Sequence, residues 1–384
     1  MATNDLRRAL KSAAAGVLKY SGLRTAMGVV RRTQAGGRRV LIVGYHRVVE
    51  DYTGELRRCI PGTLISKETF QRHLEEAHAL GYQMATMDEA VEVLAGRKRA
   101  KQDLFVVTFD DGYRDVYRTA YPILQRMGVP AMVYLATELI GTDKRFNHDR
   151  LFHLIELVRK HQFRPVYEAL PPQAAVLLHP IFTLKKTPSE SLDDFIGLFP
   201  TSVLTDILEG LERQLGGMGD LLPESGDVMS WAEARTMAAN GVDFGAHTLS
   251  HCVLTLEPAA EVDRQIGESK RIIEAELLKP VRDFAYCNGW YSDEVIRALV
   301  RHGFRSAVTT EDLLNRIGGD PFALKRKVLG ENFSRGINGD YSSSLTGLHF
   351  EDIFGLFNVH HPVVGKRPQL PFVLPLKESL ERAK

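Results

Sequence analysis

Four residues in this sequence have the types and the spacing to hold a cation and work on water beside it. Asp110 and Asp111 are adjacent in Thr108-Phe109-Asp110-Asp111-Gly112-Tyr113, and His247 and His251 lie four apart in His247-Thr248-Leu249-Ser250-His251. Two neighbouring carboxylates repel unless a cation or a shared proton relieves them. A metal ligand next to a general base uses such a pair; an Asp capping the following helix is the plainer reading. Histidines four apart on a helical turn project from one face, where both imidazoles reach one divalent ion. With 13 histidines in 384 residues, about 0.4 such pairs arise by chance, so the spacing alone weighs little. Position adds weight, because each pair directly follows an apolar strand-like run.

The elements that must position them alternate. Val40 to Tyr45 (VLIVGY), Leu104 to Phe109, Ala131 to Ala136, Val242 to Ala246, Arg282 to Tyr286 and Ser306 to Thr309 read as short buried strands. Between them, Lys67 to Gly81, Met87 to Leu94, Ala120 to Met127, Glu257 to Leu277 and Ser292 to His302 read as helices. Ser230 and Glu233 form a capping-box signature for a helix running to Ala239. This rhythm predicts a parallel sheet with helical crossovers. In a parallel barrel, residues that follow different strands meet on one C-terminal rim. Two histidines and one aspartate would leave coordination positions open for water and substrate, as catalytic sites do.

Between residues 141 and 227 the rhythm breaks into helical and loop patterns punctuated by Pro171-Pro172, Pro180, Pro188 and Pro200, with a linker at Gly216-Gly217 and Gly219. This stretch reads as a mainly helical insertion. The domain expectation is therefore a segment at 1–39, a barrel over 40–340 with its insertion at 141–227, and an extension over 341–384. Residues 1–40 carry nine Lys or Arg against one acidic residue, Asp5, with apolar positions near helical spacing. They read either as a peripheral membrane contact or as a solvated helix. No signal peptide and no bilayer-spanning stretch is expected. A formal net charge of +1 argues against a nucleic-acid partner. Three scattered cysteines, Cys59, Cys252 and Cys287, suggest a reducing, cytoplasmic setting, possible membrane association aside.

Thr108 to Tyr113 together with His247 to His251 resembles the first two motifs, TFDDG and H-(S/T)-x-x-H, of the polysaccharide deacetylase (NodB-like) family. The resemblance extends through Tyr45-His46-Arg47-Val48 and covers roughly residues 40–140 and 228–330. It implies an irregular (β/α) barrel of about seven strands, and hydrolysis of acetamido groups on an N-acetylated saccharide, in exopolysaccharide or glycan biosynthesis. It further implies Asp110 as general base and Asp111, His247 and His251 as ligands of a divalent metal, zinc being the first expectation. His46 becomes a further catalytic candidate, with a buried, hydrogen-bonded histidine as the alternative reading. The backbone N–H of Asn288 would stabilise the oxyanion.

Two departures stand against this. Where the family's third motif places an arginine beside the base, this chain has Ala285, in Ala285-Tyr286-Cys287-Asn288-Gly289. Arg326 is the cation expected to replace it. The final leucine-x-histidine motif, source of the general acid, has no clear match, and His349, His360 and His361 read as surface or core residues. Cys287 reads as inert. These departures keep two alternatives open: a catalytically impaired saccharide- or synthase-binding homologue, and a metal-dependent hydrolase of a non-sugar amide.

Overall fold

Runs of β-branched and aromatic residues that are buried along their whole length belong in a parallel sheet covered on both faces. The computed structural model describes residues 38–56, 58–161, 166, 192, 197, 199–215, 227–336 and 338–353. Strand β1 (Val40–Tyr45) leads through β2 (Arg47–Val49) and β3 (Leu64–Ser66) to helix α1 (Lys67–Ala79). Then come β4 (Gln83–Met84), α2 (Met87–Leu94), β5 (Leu104–Phe109), α3 (Tyr121–Met127) and β6 (Ala131–Leu135). Helices α4 (Asn147–His161) and α5 (Thr201–Leu215) follow. The second half runs α6 (Trp231–Ala239), β7 (Val242–Ala246), α7 (Ala259–Leu277), β8 (Asp283–Ala285), α8 (Asp293–Arg301), β9 (Ser306–Val308), β10 (Lys327–Val328) and α9 (Ser343–Phe350).

The sheet order is β10-β1-β5-β6-β7-β8-β9, with β4 beside β5 and every pairing parallel. Leu324 bridges Val308 of β9 just before the chain enters β10. The segment from Leu324 to Val328 thus joins both sheet edges and curls seven strands into a barrel, as expected from the resemblance. Side chains then alternate between two cores. Leu41, Val43, Phe105, Val107, Val133, Phe244 and Phe284 pack outward with the helices. Val40, Ile42, Leu104, Val106, Met132, Tyr134, Ala285 and Val308 fill the interior, which α2 closes with Met87, Ala90, Val91 and Leu94.

Helix and strand ends differ from expectation by a residue or two, with local causes. The helix expected from Glu257 starts at Ala259 because Pro258 takes the N-cap. That expected from Ala120 is preceded by a π-helical stretch, Val116–Ala120. The capping box at Ser230 and Glu233 is formed. Strands β2, β3, β4 and β10, of two or three residues each, are too short to show any periodicity and were not expected. Helices α4 and α5 build a core of their own, Leu151, Ile155 and Val158 against Leu204, Ile207, Leu208 and Leu211. It rests on Ile60, Val253, Leu256 and Trp290 of the barrel's loops. The segment 1–37, the Gly216–Gly219 linker, Pro171-Pro172, Pro180, Pro188, and His360 with His361 lie outside the described residues. Among the described residues no helix is long and apolar enough to cross a membrane.

One buried polar pair in the outer core makes stability depend on pH. His73 of α1 is fully buried; its Nδ1 meets the Tyr45 hydroxyl at 3.0 Å and its Nε2 meets the Ser334 hydroxyl. Burial pushes its pKa down to about 3. Between that value and the ordinary 6.5, the unfolded chain binds a proton that the folded chain refuses. Stability from this group is therefore complete above pH 6.5 and lost as pH falls, by about 1.4 kcal/mol per pH unit. Urea unfolding at pH 7, 6 and 5 is expected to show a shallower pH slope for His73→Gln than for the wild type. Equal slopes would remove His73 from this role.

Candidate active site

The two-residue period of each strand decides which residues reach the barrel mouth. Val40, Ile42 and Gly44 continue inward to His46; Val106 and Thr108 continue to Asp110; Asp243 and Gly245 continue to His247; and Ala285 continues to Cys287. Asp111, next in line, would face outward. It turns back because its backbone adopts φ 72°, and Gly112 follows at φ 91°. A Cβ on Gly112 would lie 2.7 Å from Ile140 Cδ1 and 2.8 Å from Leu135 Cδ2. Gly112→Ala is expected to cost about 1–3 kcal/mol and to displace Asp111. A thermal melt and metal titration would read both effects, and an unshifted melt would refute the first.

The turn brings one carboxylate to two imidazoles. Asp111 Oδ1 lies 3.6 Å from His247 Nε2 and 3.3 Å from His251 Nε2, and the histidine ring centroids are 4.9 Å apart. The segment His247 to His251 is not the helical turn expected from its spacing. Thr248 (φ 65°) and His251 (φ 59°) are left-handed, and the loop reverses so that both rings converge. Gln265 of α7 holds that loop by accepting from the N–H groups of Leu249 (2.9 Å) and Ser250 (3.2 Å). Several non-glycine residues in left-handed conformation around one point are the strain that functional sites carry.

Both Asp111 oxygens are buried and accept no hydrogen bond, so Asp111 is no helix cap. Burial first, then Asp110 and Asp149, pushes its pKa well above the usual carboxylate range. Burial likewise lowers the pKa of His247 and His251, keeping both imidazoles neutral. His247 Nδ1 donates to the Ala285 carbonyl at 2.7 Å, which leaves Nε2 with a free lone pair facing Asp111. An orphaned carboxylate facing two neutral imidazoles is a donor set that fits a divalent cation. Cys287 also lies close to His247 and His251. Its Sγ sits 3.9 Å from His247 Nδ1, the nitrogen already bonded to Ala285, and burial pushes its thiol pKa far up. Asp111 Oδ1, by contrast, faces the Nε2 atoms of both histidines.

Asp110 is held quite differently. Arg326, wholly buried, grips it through Nη1–Oδ1 at 2.7 Å and Nη2–Oδ2 at 2.6 Å. The guanidinium also donates to the Thr108 hydroxyl and the Thr309 carbonyl, each at 3.2 Å, and lies over Gly44, where a Cβ would be 3.2 Å from it. Burial raises the Asp110 pKa, but Arg326, with His247 and His46, outweighs it and brings the group to about 2. Arg326 does stand beside Asp110, where Ala285 offers no charge. His46 Nε2 lies 4.0 Å from Asp110 Oδ2; burial lowers its pKa to about 4, and its Nδ1 is buried without a partner. Asn288 is left-handed (φ 55°) in the turn after β8, with its side-chain amide nitrogen buried and unpartnered. His349 packs on Phe333, ring centroids 3.9 Å apart, and takes no part in the cluster.

Sequence reasoning missed the surrounding clamps. Arg47 bonds Asp115 (2.6 Å), Asp227 (2.7 Å) and Cys59 Sγ (2.8 Å), tying β2 to the loop that carries Asp110 and Asp111. The adjacency of Arg47 to His46, and of Asp115 to the aspartate pair, was the available signal. At the start of α4, His148 Nε2 meets the Tyr113 hydroxyl at 2.9 Å and its ring lies 4.8 Å from that of His251. Nothing in the insertion's sequence marks His148.

A family model described as polysaccharide deacetylase matches residues 97–169 and 201–307. The chain belongs to the polysaccharide deacetylase family. The match covers part of the insertion as well as both motifs. YxkH, a Bacillus subtilis protein carrying the family's name, is 21% identical over 281 residues, 73% of this chain and 71% of its own length. The poly-beta-1,6-N-acetyl-D-glucosamine N-deacetylase of Staphylococcus epidermidis is 25% identical over 153 residues, 38% of this chain and half of that protein. The structure of IcaB from Ammonifex degensii superposes with a TM-score of 0.52 at 17% identity, covering 82% of this chain and 98% of that one. That of the Streptococcus pyogenes deacetylase PplD in complex with acetate gives 0.51 at 16%, covering 78% and 96%. Those two likenesses establish the same barrel. This deacetylase is accordingly a hydrolase of carbon–nitrogen bonds in the carbohydrate deacetylase class.

Proposed function

We propose that the chain removes acetyl groups from amino sugars of a saccharide with the help of a divalent metal, zinc first among the choices. The observation that carries this reading is the buried Asp111 carboxylate, without any hydrogen bond, facing the Nε2 atoms of His247 and His251 beside an ionised Asp110. A cation held by these three groups supplies polarisation of the amide carbonyl and acidification of water. Asp110 takes the proton of the attacking water at Oδ2, the oxygen nearest His46; Arg326 fixes the carboxylate plane throughout. The loop of Asn288 lies at the same mouth, and its backbone N–H is assigned to the developing oxyanion. The S. epidermidis relative's name, a poly-N-acetylglucosamine N-deacetylase, supports an exopolysaccharide as the acetylated partner.

Arg326 removes one of the two grounds for a catalytically impaired binding homologue. Nothing in the site favours a non-sugar amide. The test is acetate release from N-acetylglucosamine oligomers together with metal content. The zinc-loaded chain is expected to be active, and the chelated chain to be inactive until zinc returns. Asp111→Asn is expected to lose bound zinc while keeping its circular dichroism spectrum. Full zinc content in that variant would overturn the ligand assignment.

A further inference from the structure

Beside the metal-binding loop, the insertion and the barrel rim enclose a cleft of about 930 Å³. Ser250, next to His251, lines it on one side, and residues of α4, α5 and the loop before α4 line the other. Three of the four cations that line it are each paired with a carboxylate. Lys144 pairs with Glu138 (2.8 Å), Arg150 grips Glu212 through two bonds (2.9 and 2.8 Å), and Arg264 pairs with Glu261 (2.6 Å). Arg145 is the fourth cation. It is half-buried in this cleft and has no hydrogen bond or ion pair among the described residues.

A guanidinium carries five donors and cannot discharge itself by losing a proton. Taking it partly out of water costs free energy that its neighbours here do not return. Burial lowers its pKa, and the attraction of Glu212 and Asp149, each engaged with another partner, only partly offsets that. Asp143 and Glu209 line the cleft too, but both are exposed, where water screens them. Arg145 is also close to the chemistry. The next residue, Phe146, stacks on His148 (4.9 Å between centroids) and sets its edge against His251 (5.6 Å). A ligand held at Arg145 shares its cleft with Ser250, the residue next to His251.

We propose that Arg145 binds an acidic group, a carboxylate or a phosphate, on the saccharide whose acetamido group enters the active site. This rests on the reading that an acetylated saccharide is the substrate, and it narrows that substrate to an anionic one. Both anions present paired oxygens that match the guanidinium fork. A carboxylate would come from a uronic acid in the polymer, and a phosphate from a sugar-phosphate linkage.

Calorimetric titration of the zinc-loaded chain with three probes tests it: tetra-N-acetylchitotetraose, which is neutral; a heparosan tetrasaccharide, which carries uronic carboxylates; and N-acetylglucosamine 1-phosphate. At least one charged probe is expected to bind about tenfold more tightly than the neutral one. Arg145→Gln should abolish that preference and leave neutral binding unchanged, and Arg145→Lys should restore part of it. Which charged probe gains identifies the source of the anion. The proposal fails if the wild type does not distinguish the probes, or if Arg145→Gln weakens all three alike. Acetate release from each probe is read separately. Its absence from the neutral probe and from both charged probes alike would count against the deacetylase reading without touching the binding comparison.

Discussion

Asp110→Asn is expected to lower the rate of acetate release by about a thousandfold, the scale of a lost general base, while zinc content stays at the wild-type level. The two aspartates are adjacent in sequence, yet their surroundings assign them different work. Asp111 has no hydrogen bond and faces two imidazoles; Asp110 is saturated by one guanidinium and held at a pKa of about 2. A base with that pKa is ionised throughout the working pH range, so the wild-type acid limb belongs to other groups. The introduced amide keeps the shape of the carboxylate, still accepts one bond from Arg326, and cannot take a proton from water. The substitution also leaves Arg326 as a buried cation with half its partner gone. Breaking such a pair costs about 3–5 kcal/mol, so the assay belongs well below the variant's melting temperature. A folded, zinc-bound Asp110→Asn that turns over at the wild-type rate would dismiss Asp110 as the base.

Arg326→Met carries the second large effect, and it falls on stability and pH profile together. Removing the guanidinium leaves Asp110 buried with no counter-charge, again at about 3–5 kcal/mol. The carboxylate's pKa then rises, because burial is no longer opposed by its main partner. A base must be ionised to work, so activity is lost as pH falls through that pKa. The acid limb of kcat/KM is expected to move to higher pH in the variant, where Asp110 and no longer the other groups sets it. The double variant Ala285→Arg/Arg326→Met puts the cation back at the family's usual place, facing the interior volume that Arg326 vacates. It is expected to recover part of both losses. An unchanged acid limb in Arg326→Met would mean that the arginine only fills space.

Most of the barrel could be read from the chain because its strands are buried on both faces, and continuous apolar runs such as Val40 to Tyr45 and Leu104 to Phe109 announce themselves. Helix α2 kept its expected limits, Met87–Leu94, because Thr86 caps one end and Gly96 follows the other. Strands of two or three residues left no such trace. Lys327–Val328 is a strand only because β1 lies beside it with a free edge. The aspartates and histidines were legible as types. The route by which they converge was not, because it depends on left-handed turns at Asp111, Thr248 and His251 that residue identity does not encode. Arg326 was reachable by asking what could replace a missing charge. Its bidentate grip depends on β10 closing the sheet, which is a property of topology. His148 and Arg145 come from a segment whose composition resembles any solvated helix.

The alternation of side chains along β1, β5, β7 and β8 sets a rule for how this enzyme can change over time. His46, Asp110, His247 and Cys287 all stand an even number of residues from an inward-facing position of the strand before them. Losing or gaining one codon inside any of these strands would turn its chemical group toward the helices. Loops and the 141–227 stretch are free of that parity, so lineages can lengthen or trade them at little risk to hydrolysis. Variation in what is hydrolysed should therefore accumulate as differences in length, and variation in how it is hydrolysed should hardly accumulate at all.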